Sequence, residues 1–195
     1  MGKENQNAVR ICRWDTIEEA FSGKGSQHKA GRFYGAGTEI VAAANSTALA
    51  ILEVLNYINN RKDLLAAFWL YEIQFAKELI KTADLRDVED KWRDPLYNPE
   101  TRAIGDVCYL KNQSAVLAVP SAVITTIDPK TGKIVSLDEN GQNYLLFPKH
   151  PHFSQIRIRG PYKLLLDQRL TNQLSARDVL MEQLRKEETK KKKSR

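Results

Sequence analysis

The chain has 195 residues, 42% of them apolar, with three Trp, six Phe and seven Tyr, which is enough for one domain with a buried core and too little for two. Of the formal net charge of +6, residues 185–195 supply +5, seven basic side chains standing against Glu187 and Glu188. The body is therefore nearly neutral, which argues against nucleic-acid binding beyond weak contacts by the tail.

No apolar run is long enough to cross a bilayer and Met1–Asn7 has no apolar signal core, so a cytoplasmic location with Cys12 and Cys108 as separate thiols is expected. After a flexible segment 1–7, residues 8–12 predict a short strand. Ile17, Ala20 and Phe21 lie at helical spacing behind Thr16. Ser22 to Gly31 is too rich in glycine and polar side chains for regular structure and reads as a mobile or ligand-shaped loop. Ile40–Ala44 predicts a buried strand, and Asn45 or Ser46 then caps a helix running through Ile58. Glu53 lies inside the apolar arc of that helix, with Leu49, Ala50, Asn56 and Tyr57 at three and four positions. It is neither clearly solvated nor next to a base, and a buried carboxylate left so is costly.

Leu64–Ile80 fits a helix or a strand over 66–73, because an apolar block of that length has no decisive period. Residues 87–101, with two prolines, read as mostly loop. Residues 115–127 read as a strand interrupted at Pro120. Turns at 128–132 and 138–141 flank a strand candidate at 133–137, and 143–147 is a short apolar segment before the stiff Pro148–Pro151. Phe153–Ile158 alternates in part, and Leu164–Leu166 predicts a last short strand. Ser175 with Asp178 would cap a final helix. The expected architecture is a single α+β domain over 8–184, with a C-terminal helix and a basic tail at 185–195.

Several segments share one pattern. Gly31-Arg32-Phe33-Tyr34-Gly35-Ala36-Gly37-Thr38, the helix segment Leu52-Glu53-Val54-Leu55, Gly105-Asp106, Val119-Pro120-Ser121, and Asn143 to Pro151 follow in order over residues 8–170. Together they resemble the signature of the RES domain family. The resemblance implies a fold like that of the ADP-ribosyltransferase toxins and a role as the toxin of a bacterial toxin–antitoxin pair. It implies cleavage of NAD at the nicotinamide–ribose bond by hydrolysis, or by phosphorolysis with inorganic phosphate as co-substrate, and no metal. It also implies a helical, DNA-binding antitoxin covering the cleft. Two other readings compete: a protein ADP-ribosyltransferase, and a catalytically impaired binding module that keeps the fold.

The resemblance places the family arginine on Arg32, whose planar fork suits a pyrophosphate. It places the ribose carboxylate on Glu53, which would stabilise a ribosyl cation. Ser121 would meet nicotinamide or a phosphate, and no base partner marks it as a nucleophile. Tyr34 would add a ring beside the nicotinamide, and His28 is a further candidate for substrate contact. The three histidines and two cysteines show no metal-ligand spacing. Three positions depart from the family pattern: Ala42 stands where a tyrosine is usual, and Tyr34 and Phe147 each stand where an asparagine is. Ala42 is what favours the impaired reading.

Overall fold

The computed structural model of the chain describes residues 4–57, 68–88, 92–93, 98–123, 126–127, 129–131, 134–135 and 141–167. In chain order its elements are β1 (Asn5–Cys12), α1 (Ile17–Ala20), α2 (Lys24–His28), β2 (Val41–Ala44), α3 (Thr47–Tyr57), β3 (Phe68–Ala76), β4 (Ile80–Thr82), α4 (Pro99–Leu110), β5 (Val116–Pro120), β6 (Thr126–Ile127), β7 (Ile134–Val135), β8 (Gln142–Leu146) and β9 (Arg157–Leu164). Seven strands form one sheet in the order β4-β5-β8-β2-β1-β3-β9, and β6 with β7 forms a separate two-stranded ribbon. Within the sheet β4 and β5 run parallel, and the other pairs are antiparallel. This is the mixed α+β domain that the sequence predicts.

β5 and β8 are central, and Val116 to Val119 and Tyr144 to Leu146 are buried on both faces. One face packs Tyr71, Phe75, Tyr144 and Leu146 with Phe21, including edge-to-face contacts between Phe21 and Tyr71 and between Phe75 and Tyr144. The other packs Leu117, Val119, Leu145 and Phe147 against Phe33, Trp92 and Cys108, so α4 covers that side. Each such large side chain contributes roughly 1.5–3 kcal/mol by leaving water. Both cysteines are buried and free, and burial pushes the Cys108 thiol above its ordinary pKa.

The sheet has one weak seam. β1 pairs with β3 over eight residues and β2 pairs with β8 over four, whereas β1 meets β2 through the single pair Val9↔Ala44.

Several expectations change. β1 reaches back to Asn5, into the segment read as flexible, because β3 offers a partner as far as Ala76. The stretch read as a loop from Ser22 contains the helix α2. Gly23 opens it at φ 73, and buried Ser26 fixes it by donating to Gly23 O and Thr38 O and accepting from Ile40 N. Of the ambiguous block, Phe68–Ala76 is a strand, β3, because both its edges find partners, and residues 64–67 lie outside the described residues. The loop reading of 87–101 fails at its end, where Asn98 caps α4 and Pro99 takes its first position. Of the strand expected at 164–166 only Leu164 is in a strand, as the last residue of β9, which starts at Arg157 after a 3-10 turn at Phe153–Gln155. The predicted final helix and the basic tail lie outside the described residues.

Candidate active site

α3 starts where Ser46 accepts from Leu49 N and lays Leu49 and Ala50 on Ile11, Ala44 and Phe68. That packing turns half-buried Glu53 toward the ends of β5 and β8. Ser121, just past β5, donates from Oγ to Glu53 Oε1 at 2.7 Å. Asn143, in β8, donates from Nδ2 to the same oxygen at 2.5 Å. The sheet register sets the second contact, since Asn143 sits between Ala44 of β2 and Val119 of β5. The carboxylate unexplained in the sequence thus has two donors. Ser121 is buried and its hydroxyl also accepts from Val123 N at 3.1 Å, so both of its hydrogen-bonding roles are filled by protein. Oε2 of Glu53 accepts no hydrogen bond from the described residues.

Glu53 faces a cavity of about 740 Å³ that is also lined by Arg32, Tyr34, Ala42 and Asn143. Three further lining cations are Arg10, Lys29 and Arg93, and among the described lining residues Glu53 is the one carboxylate. Arg32 donates from Nη1 to Trp92 O at 2.6 Å. Tyr34 lies over Gly31, where an added Cβ would stand 2.5 Å from the ring, so that close approach requires glycine. A smaller cavity of about 120 Å³ adjoins the first and shares Arg10, Tyr34 and Ala42 with it.

The glycine-rich segment is held from behind by one face of α4. Arg102 Nε donates to Gly31 O at 3.3 Å, Gly105 N donates to Phe33 O at 3.0 Å, and Asp106 Oδ1 accepts from Gly35 N at 2.9 Å. These grips fall on alternate residues, 31, 33 and 35, and leave the Arg32 and Tyr34 side chains to line the cavity. Position 105 has no room for a side chain, since a Cβ would stand 2.0 Å from Phe33 O.

Arg32, Tyr34 and Glu53, all singled out from sequence, therefore share one cavity, and Ser121 reaches it through Glu53. His28 does not join them. It ends α2 as an exposed residue and is absent from the described cavity lining. His150 and His152 pack together, with His152 N donating to His150 Nδ1 at 3.1 Å. Sequence reasoning missed Asn143 as a partner of Glu53, and it missed Arg10, Lys29 and Arg93. Burial lowers the pKa of Arg10 from its ordinary value, partly opposed by Cys12 and Tyr34. No group of three or more metal-binding side chains occurs among the described residues, and no described helix is long and apolar enough to cross a membrane.

A cavity lined by four cations with a carboxylate fixed at one wall, built on a mixed sheet, has the charge and volume to accept an anionic small molecule. The family model of the RES domain matches residues 7–167, and the chain belongs to that family. It is 32% identical to a protein named Toxin Res from Photorhabdus laumondii over 115 residues, covering 59% of this chain and 73% of that one. It is 27% identical to a Prs ADP-ribosylating toxin from a Sphingobium species over 152 residues, 76% of this chain and 85% of that one. In fold it matches a chain of the M. tuberculosis MbcT–MbcA toxin–antitoxin complex, with a TM-score of 0.58 and 16% identity over 89% and 91% of the two chains.

Proposed function

We propose that this chain is a toxin that cleaves NAD at the nicotinamide–ribose bond. The observation that carries the reading is Glu53, oriented by Ser121 and Asn143 at the wall of a cavity whose other charges are cationic. The volume lies within the range of about 300–1,000 Å³ usual for small-molecule sites. The cations suit a pyrophosphate, with Arg32 held by Trp92 O so that its fork is presented to a phosphoryl oxygen.

In the reaction the bond between ribose C1′ and the pyridinium nitrogen breaks, and its electron pair passes to the nitrogen. Nicotinamide leaves neutral, and the ribosyl cation is stabilised by the Glu53 carboxylate, whose Oε2 is not engaged by the described residues. An oxygen of water or of inorganic phosphate forms the new bond to C1′, and in hydrolysis a proton is released to solvent. Ser121 is a positioning residue in this scheme, because its hydroxyl is committed to Glu53 and Val123. Tyr34 lies beside Ala42 at the boundary of the two cavities and supplies an aromatic wall there.

The likeness to a chain of a toxin–antitoxin complex supports an antitoxin as partner; that this antitoxin is helical and DNA-binding and covers the cavity, and that the toxin acts in the cytoplasm, are parts of the same proposal. The similarity to a protein named as an ADP-ribosylating toxin favours protein ADP-ribosylation as the second reading, using the same carboxylate with a protein acceptor.

The test is nicotinamide release from NAD by purified protein, with and without phosphate. Turnover is expected and should fall about 100-fold or more in Glu53→Gln, the scale on which loss of a transition-state contact is felt. No release above a buffer blank in either condition overturns the enzyme reading. The second product (free ADP-ribose, its phosphorylated form or a modified protein) identifies the acceptor.

A further inference from the structure

Arg10 is a poorly compensated charge at this site. It lies in β1 between Val9 and Ile11, at the seam where β1 and β2 share only the pair Val9↔Ala44. Past that pair the strands part, and the Arg10 side chain fills the opening. Its Nη1 donates 2.8 Å to Ala42 O, a carbonyl that a continued ladder would have used. Its Nε is sealed from solvent without a hydrogen-bond partner, and among the described residues no ion pair is made by Arg10. The aromatic rings of Trp14 and Phe21 stand 5.9 and 6.0 Å from the guanidinium carbon, at the outer limit of a cation–π contact. A guanidinium stays charged in a protein, and a partly desolvated charge whose partners are the Ala42 carbonyl and the Cys12 thiol is costly unless an anion meets it. No described residue supplies one, yet Arg10 lines the cavity.

We infer that Arg10 is a second anion-binding residue of the cavity, which takes a phosphoryl oxygen of the pyrophosphate of a dinucleotide bound by Arg32. This rests on the dinucleotide reading of the cavity above. Two guanidinium groups on separate elements, one in β1 and one in the glycine-rich segment, would grip the diphosphate from two sides. Arg10 would thereby couple ligand binding to the seam between β1 and β2.

The test measures binding of ADP-ribose, adenosine and inorganic pyrophosphate to the full chain and to Arg10→Gln, by calorimetry or, for weak ligands, by NMR titration. ADP-ribose and pyrophosphate are expected to bind Arg10→Gln at least tenfold more weakly, with a shallower salt dependence, while adenosine binding stays within twofold. An equal fall for adenosine makes the effect structural and overturns the inference, as does unchanged ADP-ribose binding. If the unaltered protein binds pyrophosphate but not ADP-ribose, the dinucleotide reading fails, and loss of pyrophosphate binding in Arg10→Gln still upholds Arg10 as an anion site. Binding of neither by the unaltered protein overturns both. Should Arg10→Gln fail to fold, Arg10→Lys carries the test, because an ammonium keeps the charge but lacks the fork. It should weaken ADP-ribose severalfold and leave adenosine unmoved, and unchanged ADP-ribose binding would again overturn the inference.

Discussion

Glu53 holds two donors on one carboxylate oxygen, and those donors lie 68 and 90 residues away in the chain. A hydrogen bond to a charged group is worth about 1.5–3 kcal/mol, so Ser121→Ala should lower kcat for NAD cleavage about 10- to 100-fold. KM should move little, because Ser121 is buried behind the carboxylate, and steady-state kinetics separate the two. A rise in KM with kcat unchanged would instead place Ser121 against the substrate. Arg32, Tyr34 and Glu53 were legible in the sequence, the first two from the glycine-rich pattern and the third as a carboxylate stranded among apolar neighbours. Asn143 was not legible in that role, since its partner is distant and it opens an apolar run. Arg10 was hidden for a related reason. A basic residue between Val9 and Ile11 reads as the solvent side of a strand, and only the parting of β1 from β2 shows that it fills the sheet.

Among the elements, α4 decides how well the glycine-rich segment is aimed. Asp106→Ala removes the acceptor for Gly35 N and should lower kcat/KM for NAD about tenfold or more, consistent with loss of one charge-assisted bond. Asp106→Asn keeps an oxygen in place and should stay within threefold of the unaltered protein. An Asn variant as impaired as the Ala variant would show that the charge, not the grip, matters. The helix was only partly legible: Gly105-Asp106 matched a family pattern, but the start of α4 was lost in a stretch whose prolines read as loop punctuation. Pro99 is instead well suited to a first helical turn behind Asn98. α2 was missed because composition speaks for a loop, and its stability comes from Ser26 bonding to residues 12 and 14 positions on. β3 could not be separated from a helix until its neighbours β1 and β9 were known.

For the whole molecule, the mixed class was legible and the strand order was not, because pairings such as β2 with β8 join segments about a hundred residues apart. That order divides the sheet at the β1–β2 seam into a β1-β3-β9 half and a β2-β8-β5-β4 half. The cavity draws its walls from both, with Val9 and Ile11 on one side and Ala43, Asn143 and Val119 on the other. A molecule bound there acts as a cross-brace, and mass action converts its occupancy into stability, about 2.7 kcal/mol at a hundred times Kd. The melting temperature of Glu53→Gln, which spares its ligand, should therefore climb steadily with added NAD, and a flat thermal titration would deny the brace. The consequence reaches beyond the site. On the proposed function, depletion of NAD would remove that brace and leave the protein easier to unfold and to proteolyse as its target pool runs down, which would set a built-in limit on how long it persists.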